Sequence, residues 1–398
     1  MIIIEKPHLQ LLQNDLAELS VKFTLENKEQ KLWYTVPGKY EKYLVTENLD
    51  AFLVGLLFLA LKKGEDITLK GPVSSKLLYS INHYLIPALC LANPDLKEIK
   101  VNALELNENN LNVGNVAATG LSCGVDSFSA YYDHRNETGS YKIKYFTFFN
   151  AGSHGSGGNF TQKVFKQRLK KSEKFAAREG KEIIPIDSNL SEILMMKFQK
   201  TNTLRNASCA LLLQKLFRNY YSASKNRFDF FKLHDYDTQD YDSLILNMLS
   251  TESTTFFSAV ANLTRLERTS FIADFEGTYD HLDICTSPRR KQEEGINCSK
   301  CKKCLRTALT LDLLGKLERY ENVFHLDVYR KNKDNFIWYI ISTRNDNQIS
   351  SDLYKLLKEK NEINYYKIAL SKLKNQKKKI YRLVDGNKNP DHSTTKSK

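Results

Sequence analysis

From about residue 112 to 275, short apolar runs alternate with long amphipathic stretches, and this rhythm constrains the fold more than any other feature. NVAATGLS reads as a strand that runs into a helix at Asp126. KIKYFTFFN is almost continuously apolar and aromatic, as a strand buried on both faces must be. A glycine-rich loop, AGSHGSGGN, precedes the amphipathic helix FTQKVFKQRLKKSEKFAAREG, which Gly180 stops. KEIIPID is a third strand, RNASCALLLQKLFRNYYSAS a strongly apolar helix, FDFFKLHDY a strand entering a loop, and FFSAVANLTRLERTSFIADF a further helix. Such alternation implies an α/β fold around a parallel sheet.

Residues 1–110 form a different pattern, an N-terminal α+β extension. SVKFTLE and KLWYTVP alternate as half-buried strands, DITLKGP and EIKVNALEL add two more, and NLDAFLVGLLFLALKKG is a helix stopped near Gly64. SSKLLYSINHYLIPALCLA reads as a helix kinked by Pro87. The α/β region spans 111–317. A C-terminal extension, 318–398, contains a strand-like NFIWYIIST, a lysine-rich helix and a polar tail.

The formal charge of +13 points to anionic partners, of which ATP, phosphorylated metabolites and nucleic acid all qualify. The basic run KLKNQKKKIYRL fits a solvated tail better than a nucleic-acid contact. MIIIEKPHLQ lacks the features of a secretory leader, and FLVGLLFLAL is too short to span a bilayer, so no membrane role is expected. Seven cysteines, four of them within 285–304, argue against a disulfide scaffold and for a reducing cytoplasm.

Two clusters carry chemistry. The first is GLSCGVDS at the end of the first strand of the α/β region. A helix N-terminus offers free N–H groups and the positive end of its dipole, so this corner suits an anion. Ser122 and Ser127 add hydroxyls, Gly124 lets the backbone curl, and Asp126 can cap the helix or hold Mg²⁺. The stretch lacks the Gly-Lys-Ser/Thr of a Walker loop and the three glycines of a dinucleotide fingerprint. A low-pKa, redox-sensitive Cys123 and a ligand-free capped helix are the competing readings. The second cluster is Cys285, Cys298, Cys301 and Cys304. Four thiolates close a tetrahedral shell around Zn²⁺, while a [4Fe–4S] cluster could use the same ligands. Lys300, Lys302, Lys303 and Arg306 would offset the negative charge of the site. Cys90 and Cys209 lie in apolar helical patterns and read as core.

The loop Ser122-Cys123-Gly124-Val125-Asp126-Ser127 resembles the Ser-Gly-Gly-x-Asp-Ser loop of the PP-loop ATP pyrophosphatases, with Cys123 in place of a glycine. Together with Arg205-Asn206 opening an apolar helix and the later four-cysteine knuckle, it looks like 7-cyano-7-deazaguanine synthase and its relatives over about 112–317. The resemblance implies a Rossmann-like, adenine-nucleotide-alpha-hydrolase-type domain with a C-terminal zinc knuckle. It implies ATP, Mg²⁺ and Zn²⁺ as cofactors and an AMP-forming C–N ligase acting on a small carboxylate, of which a deazapurine-like one is an example, or on a partner protein as acceptor. It assigns catalysis to Ser122, Asp126, Ser127 and Arg205. It assigns nucleotide binding to Leu121 through Ser127, to Phe148, Phe149 and Asn150 at the end of the second strand, and to Asn206. The loop from Asn150 to Gly158 departs from the synthases, which points to a substrate of its own. His154, the acidic loop HDYDTQDYD from His234 to Asp242, Ser250-Thr251-Glu252 as a helix cap, and Arg265 with Arg268 are secondary candidates. A homodimer is compatible with the sequence. A tRNA-modifying enzyme and a non-catalytic nucleotide binder are the alternative functions.

Overall fold

The computed structural model describes residues 1–285 and 296–366, and Ala369. The chain divides into two compact units, Met1–Asp283 and Ile284–Lys398.

In the first unit the strands are β1 (Ile2–Ile4), β2 (His8–Leu12), β3 (Leu16–Leu25), β4 (Lys28–Pro37), β5 (Ile67–Ser74), β6 (Val101–Asn107), β7 (Val116–Gly120), β8 (Ile143–Asn150), β9 (Glu182–Ser188), β10 (Phe217–Ala223) and β11 (Thr255–Ala259). They form one sheet in the order β11-β10-β7-β8-β9-β4-β3-β1-β5-β6, with β2 paired to β3. The five strands β7 to β11 are mutually parallel, as the alternation implies. The N-terminal strands extend the same sheet. β4 pairs antiparallel with β9 through Tyr34↔Ser188 and Thr35↔Asp187, so the division at 110 falls within a continuous sheet. Glu26 and Asn27, both at positive φ, make the tight turn between β3 and β4.

The N-terminal helix Asp50–Lys63 is buried on nearly every face. It packs beside the helix Asn202–Leu211, with Ser208 Oγ donating to Ala51 O at 2.7 Å. A Cβ on Gly55 would approach Tyr34 Oη to 2.8 Å and Ser208 Oγ to 3.0 Å, so glycine sets the spacing of this contact. Around Pro87 the helix is interrupted by a π-helical turn, Ile81–Leu85, because proline has no N–H to continue the ladder.

Four expected elements differ. RNASCALLLQKLFRNYYSAS is a helix only to Leu211 and then becomes β10, and FFSAVANLTRLERTSFIADF is β11 followed by the helix Arg265–Ile272. The apolar character that suggested long helices belongs in part to strands: β10 is largely buried, whereas β11 buries Phe256 and Ala259 and leaves Phe257 exposed. FDFFKL is a 3₁₀ turn in a loop. NFIWYIIST is part of the helix Leu326–Thr343, where Phe336, Ile337 and Ile340 form a buried stripe at helical spacing.

In the second unit the helices Lys302–Leu313, Leu326–Thr343 and Gln348–Glu359 pack together, and Tyr329 donates to Asp312 at 2.7 Å. The basic run near 372–383 lies outside the described residues.

Candidate functional site

β7 lies at the centre of the parallel half of the sheet. From β7 the chain moves outward through β8 and β9, then crosses back to place β10 and β11 on the other side. The boundary between β7 and β10 is therefore the topological switch point, and the loop leaving β7 is Leu121–Gly124. Open α/β sheets form their ligand crevice at this place, because the loops of adjacent strands diverge there.

The loop is held from behind. Ser172 Oγ donates to Leu121 O at 3.1 Å, and Asp283 N–H donates to Cys123 O at 2.7 Å. Lys171 pairs with the Asp283 carboxylate at 3.3 Å. Two loop carbonyls are thus tied back by other parts of the chain. The first-turn amides of the helix Val125–His134 have no carbonyl within the helix to bond. Ser127 Oγ accepts from Gly124 N–H at 3.1 Å and lies 3.2 Å from Ser122 Oγ, which groups both hydroxyls at the helix start.

Cys123 adopts φ 56°, the left-handed conformation that favours glycine. Its Cβ costs about 1 kcal/mol there. The side chain is 1% exposed and its sulfur lies 3.7 Å from Ser172 Oγ. Buried on the Ser172 side of the loop, the thiol is not presented to solvent as a redox-sensing cysteine must be.

Both oxygens of Asp126 meet guanidinium groups, Arg265 Nη1 at 2.7 Å and Arg268 Nη1 at 3.0 Å. Arg268 is fully buried. It also donates to the carbonyls of Ser224 and, at 2.7 Å, Val260, at the ends of β10 and β11. Burial pulls its pKa down and Asp126 opposes the shift. Arg268 therefore fixes the Leu121–Ser127 corner to the neighbouring strand ends, while Arg265 remains partly exposed beside Asp126. With two cations on its carboxylate, Asp126 does not suit a divalent cation.

Arg205 is 1% exposed. Its Nε donates to Thr201 Oγ1 at 2.6 Å, Nη1 to Ala151 O at 2.8 Å and to Ser191 Oγ at 2.6 Å, and Nη2 to Met196 O at 3.1 Å. Burial lowers its pKa to about 10. These bonds tie the glycine-rich loop to the segment after β9. Asn206 lies inside the helix Asn202–Leu211, and the structure gives it no capping role. Phe148 and Asn150 are buried at the end of β8, and Phe149 is half-buried. Asn150 Nδ2 donates to Asp187 at 2.7 Å, and its Oδ1 is buried without a partner among the described residues. It borders a cavity of about 30 Å³ shared with Trp33, Gln162 and Glu192.

His154 packs against Phe148 and Phe165, and burial lowers its pKa to about 3, so the ring is neutral. The acidic loop forms an internal network. Lys225 pairs with Asp237 and Asp240, His234 with Asp240, and Asn202 donates to Asp237. Glu252 accepts from Lys76 N–H at 2.8 Å, so it caps the helix Ser75–Ser80 and not a helix that follows it in sequence. Sequence reasoning passed over Ser172, Asp283 and the anchoring role of Arg268. Single polar residues in charged stretches carry no local signal for such tertiary bonds.

The sulfurs of Cys285, Cys298, Cys301 and Cys304 all lie within 4.8 Å of one another. Cys298 and Cys304 are 3.8 Å apart, Cys301 and Cys304 3.3 Å. A tetrahedral zinc with Zn–S near 2.3 Å needs sulfurs about 3.8 Å apart, so the residues fit a metal such as zinc. Asn297 Oδ1 accepts from the amides of Ile284 and Cys285 at 2.9 and 3.0 Å and fixes the first ligand.

These features define an α/β protein with a mostly parallel central sheet and a four-cysteine metal-type knuckle. No helix among the described residues is long and apolar enough to cross a membrane. No protein-family profile, curated protein or solved structure matches the chain.

Proposed function

We propose that the Leu121–Ser127 corner binds ATP and that the protein is an AMP-forming C–N ligase for a small carboxylate. The supporting observation is the coincidence of the switch point with a loop whose carbonyls at 121 and 123 are tied back beside a helix N-terminus. In this reaction a substrate carboxylate or amide oxygen attacks the α-phosphorus. The bond to the bridging oxygen breaks, and pyrophosphate leaves with the electron pair. The first-turn amides and the hydroxyls of Ser122 and Ser127 stabilise its charge. Ammonia or another nitrogen nucleophile then attacks the acyl carbon, AMP departs with the electron pair of the C–O bond, and the nitrogen loses a proton to solvent. The partly exposed Arg265 adds positive charge at the mouth. The zinc-type knuckle, closed by four thiolates, supplies structure, and no step passes through it or through a cation on Asp126.

Incubation with MgATP, ammonium and candidate carboxylates should yield AMP and pyrophosphate in equal amounts. Ser127→Ala should slow turnover about a hundredfold. Formation of ADP and phosphate, or no turnover with any carboxylate, overturns the reading. The formal charge of +13 supports a second reading, a tRNA-modifying enzyme. It requires RNA affinity that falls steeply with salt.

A further inference from the structure

The largest cavity among those described in the first unit lies away from the phosphate corner, along β11. It is an open hollow of about 540 Å³, within the range of ligand pockets. Its walls are aromatic. Phe257 is 37% exposed, Tyr141 50% and Phe228 59%. The rings of Tyr141 and Tyr221 lie 6.3 and 5.8 Å from that of Phe257. Asp133 and Glu137 are the acidic residues of the lining, which contains no lysine or arginine. In a chain of formal charge +13, an aromatic hollow whose lining holds two carboxylates, one histidine (His134, 3.6 Å from Asp133) and no lysine or arginine is a local reversal of sign. Ser258 Oγ, also in the lining, is buried without a hydrogen-bond partner among the described residues.

Rings that expose their faces beside carboxylates attract cations, because the ring quadrupole and the full charges act together. The hollow also runs along a strand with an open side. Among the described residues β11 pairs only with β10; on its other edge Phe256 N–H donates to Ser250 Oγ at 3.1 Å, and the backbone groups beyond Phe256 are left for a further strand. At the end of β11, Val260 is held at φ 53° with its carbonyl bonded to buried Arg268, so the rim is fixed in place.

We propose that this hollow is a docking site for an extended basic peptide. The peptide adds as a strand to the free edge of β11 and lays an arginine or lysine side chain over Phe257 and Tyr141, towards Asp133 and Glu137. Charge complementarity sets the sign of the partner, and the open strand edge sets its extended form.

The test is fluorescence anisotropy on the full chain with a labelled, end-capped hexapeptide of alternating valine and arginine. Binding should weaken at least tenfold when glutamine replaces the arginines, in Glu137→Lys, and in Phe257→Ala. It should also weaken when the peptide backbone is N-methylated. Unchanged thermal unfolding of both variants would show that they remain folded. Equal affinity for the arginine and glutamine peptides, or no loss in Glu137→Lys, overturns the proposal. So does free arginine amide binding as tightly as the peptide, which would make the hollow a pocket for small organic cations. ATP turnover is not part of the readout, so the proposal and the ligase reading fail independently.

Discussion

Asp126 and Arg268 form an unequal pair, one partly exposed and the other sealed in the interior. Asp126→Ala removes the carboxylate hydrogen-bonded to the buried Arg268 guanidinium, and urea unfolding should show a loss of about 3–5 kcal/mol. Arg265→Gln removes only a partly exposed partner and should cost less than about 1 kcal/mol. Similar losses in the two variants would show that the inner pair is not the anchor. Asp242 is a second residue with a measurable signature. Burial raises its pKa from 3.8 to about 7, and Asp50 rises to about 6. Raised acids favour the folded state in their protonated form. Their contribution is complete below about pH 4 and disappears as pH climbs to about 7. Asp242→Asn should therefore melt close to the native protein at pH 4 and several degrees above it at pH 8. A difference independent of pH would mean that the carboxylate stays ionised beside Arg268. At this scale the sequence showed which residue types stand at the corner. It did not show that the guanidinium meeting Asp126 comes from 142 residues further along the chain.

The knuckle is the element whose chemistry was most legible, because thiolates three residues apart can close one shell through local geometry. One zinc per chain is expected by elemental analysis, and Cys298→Ser should lose the metal and lower the melting temperature. Iron and sulfide in place of zinc would replace this assignment with a cluster. The helix Asp50–Lys63 was legible from its apolar run, yet its spacing from Asn202–Leu211 depends on Gly55, which sequence alone did not single out. Gly55→Val should destabilise by about 1–3 kcal/mol, since its added atoms meet Tyr34 and Ser208. Calorimetry showing no loss would mean that the two helices can move apart freely. β10 and β11 were misread as helix because short apolar runs fit either period, and only their pairing in the sheet separates them.

For the first unit as a whole, the continuous sheet predicts that residues 111–398 do not fold alone. Removal of 1–110 strips β4 from β9 and uncovers the helix Asn202–Leu211. Expression of that fragment should give aggregated protein, whereas a soluble fragment with a cooperative melt would establish two independent domains. The strand–helix rhythm of β7 to β9 and the cysteine spacing were determined by the sequence itself, since each arises between residues near in the chain. Tertiary structure alone decided that the chain crosses back after β9, that β4 joins β9, and that Asp126 is held by two arginines. These depend on which distant surfaces bury each other, and loop-closure entropy leaves no periodic mark by which such pairings can be read.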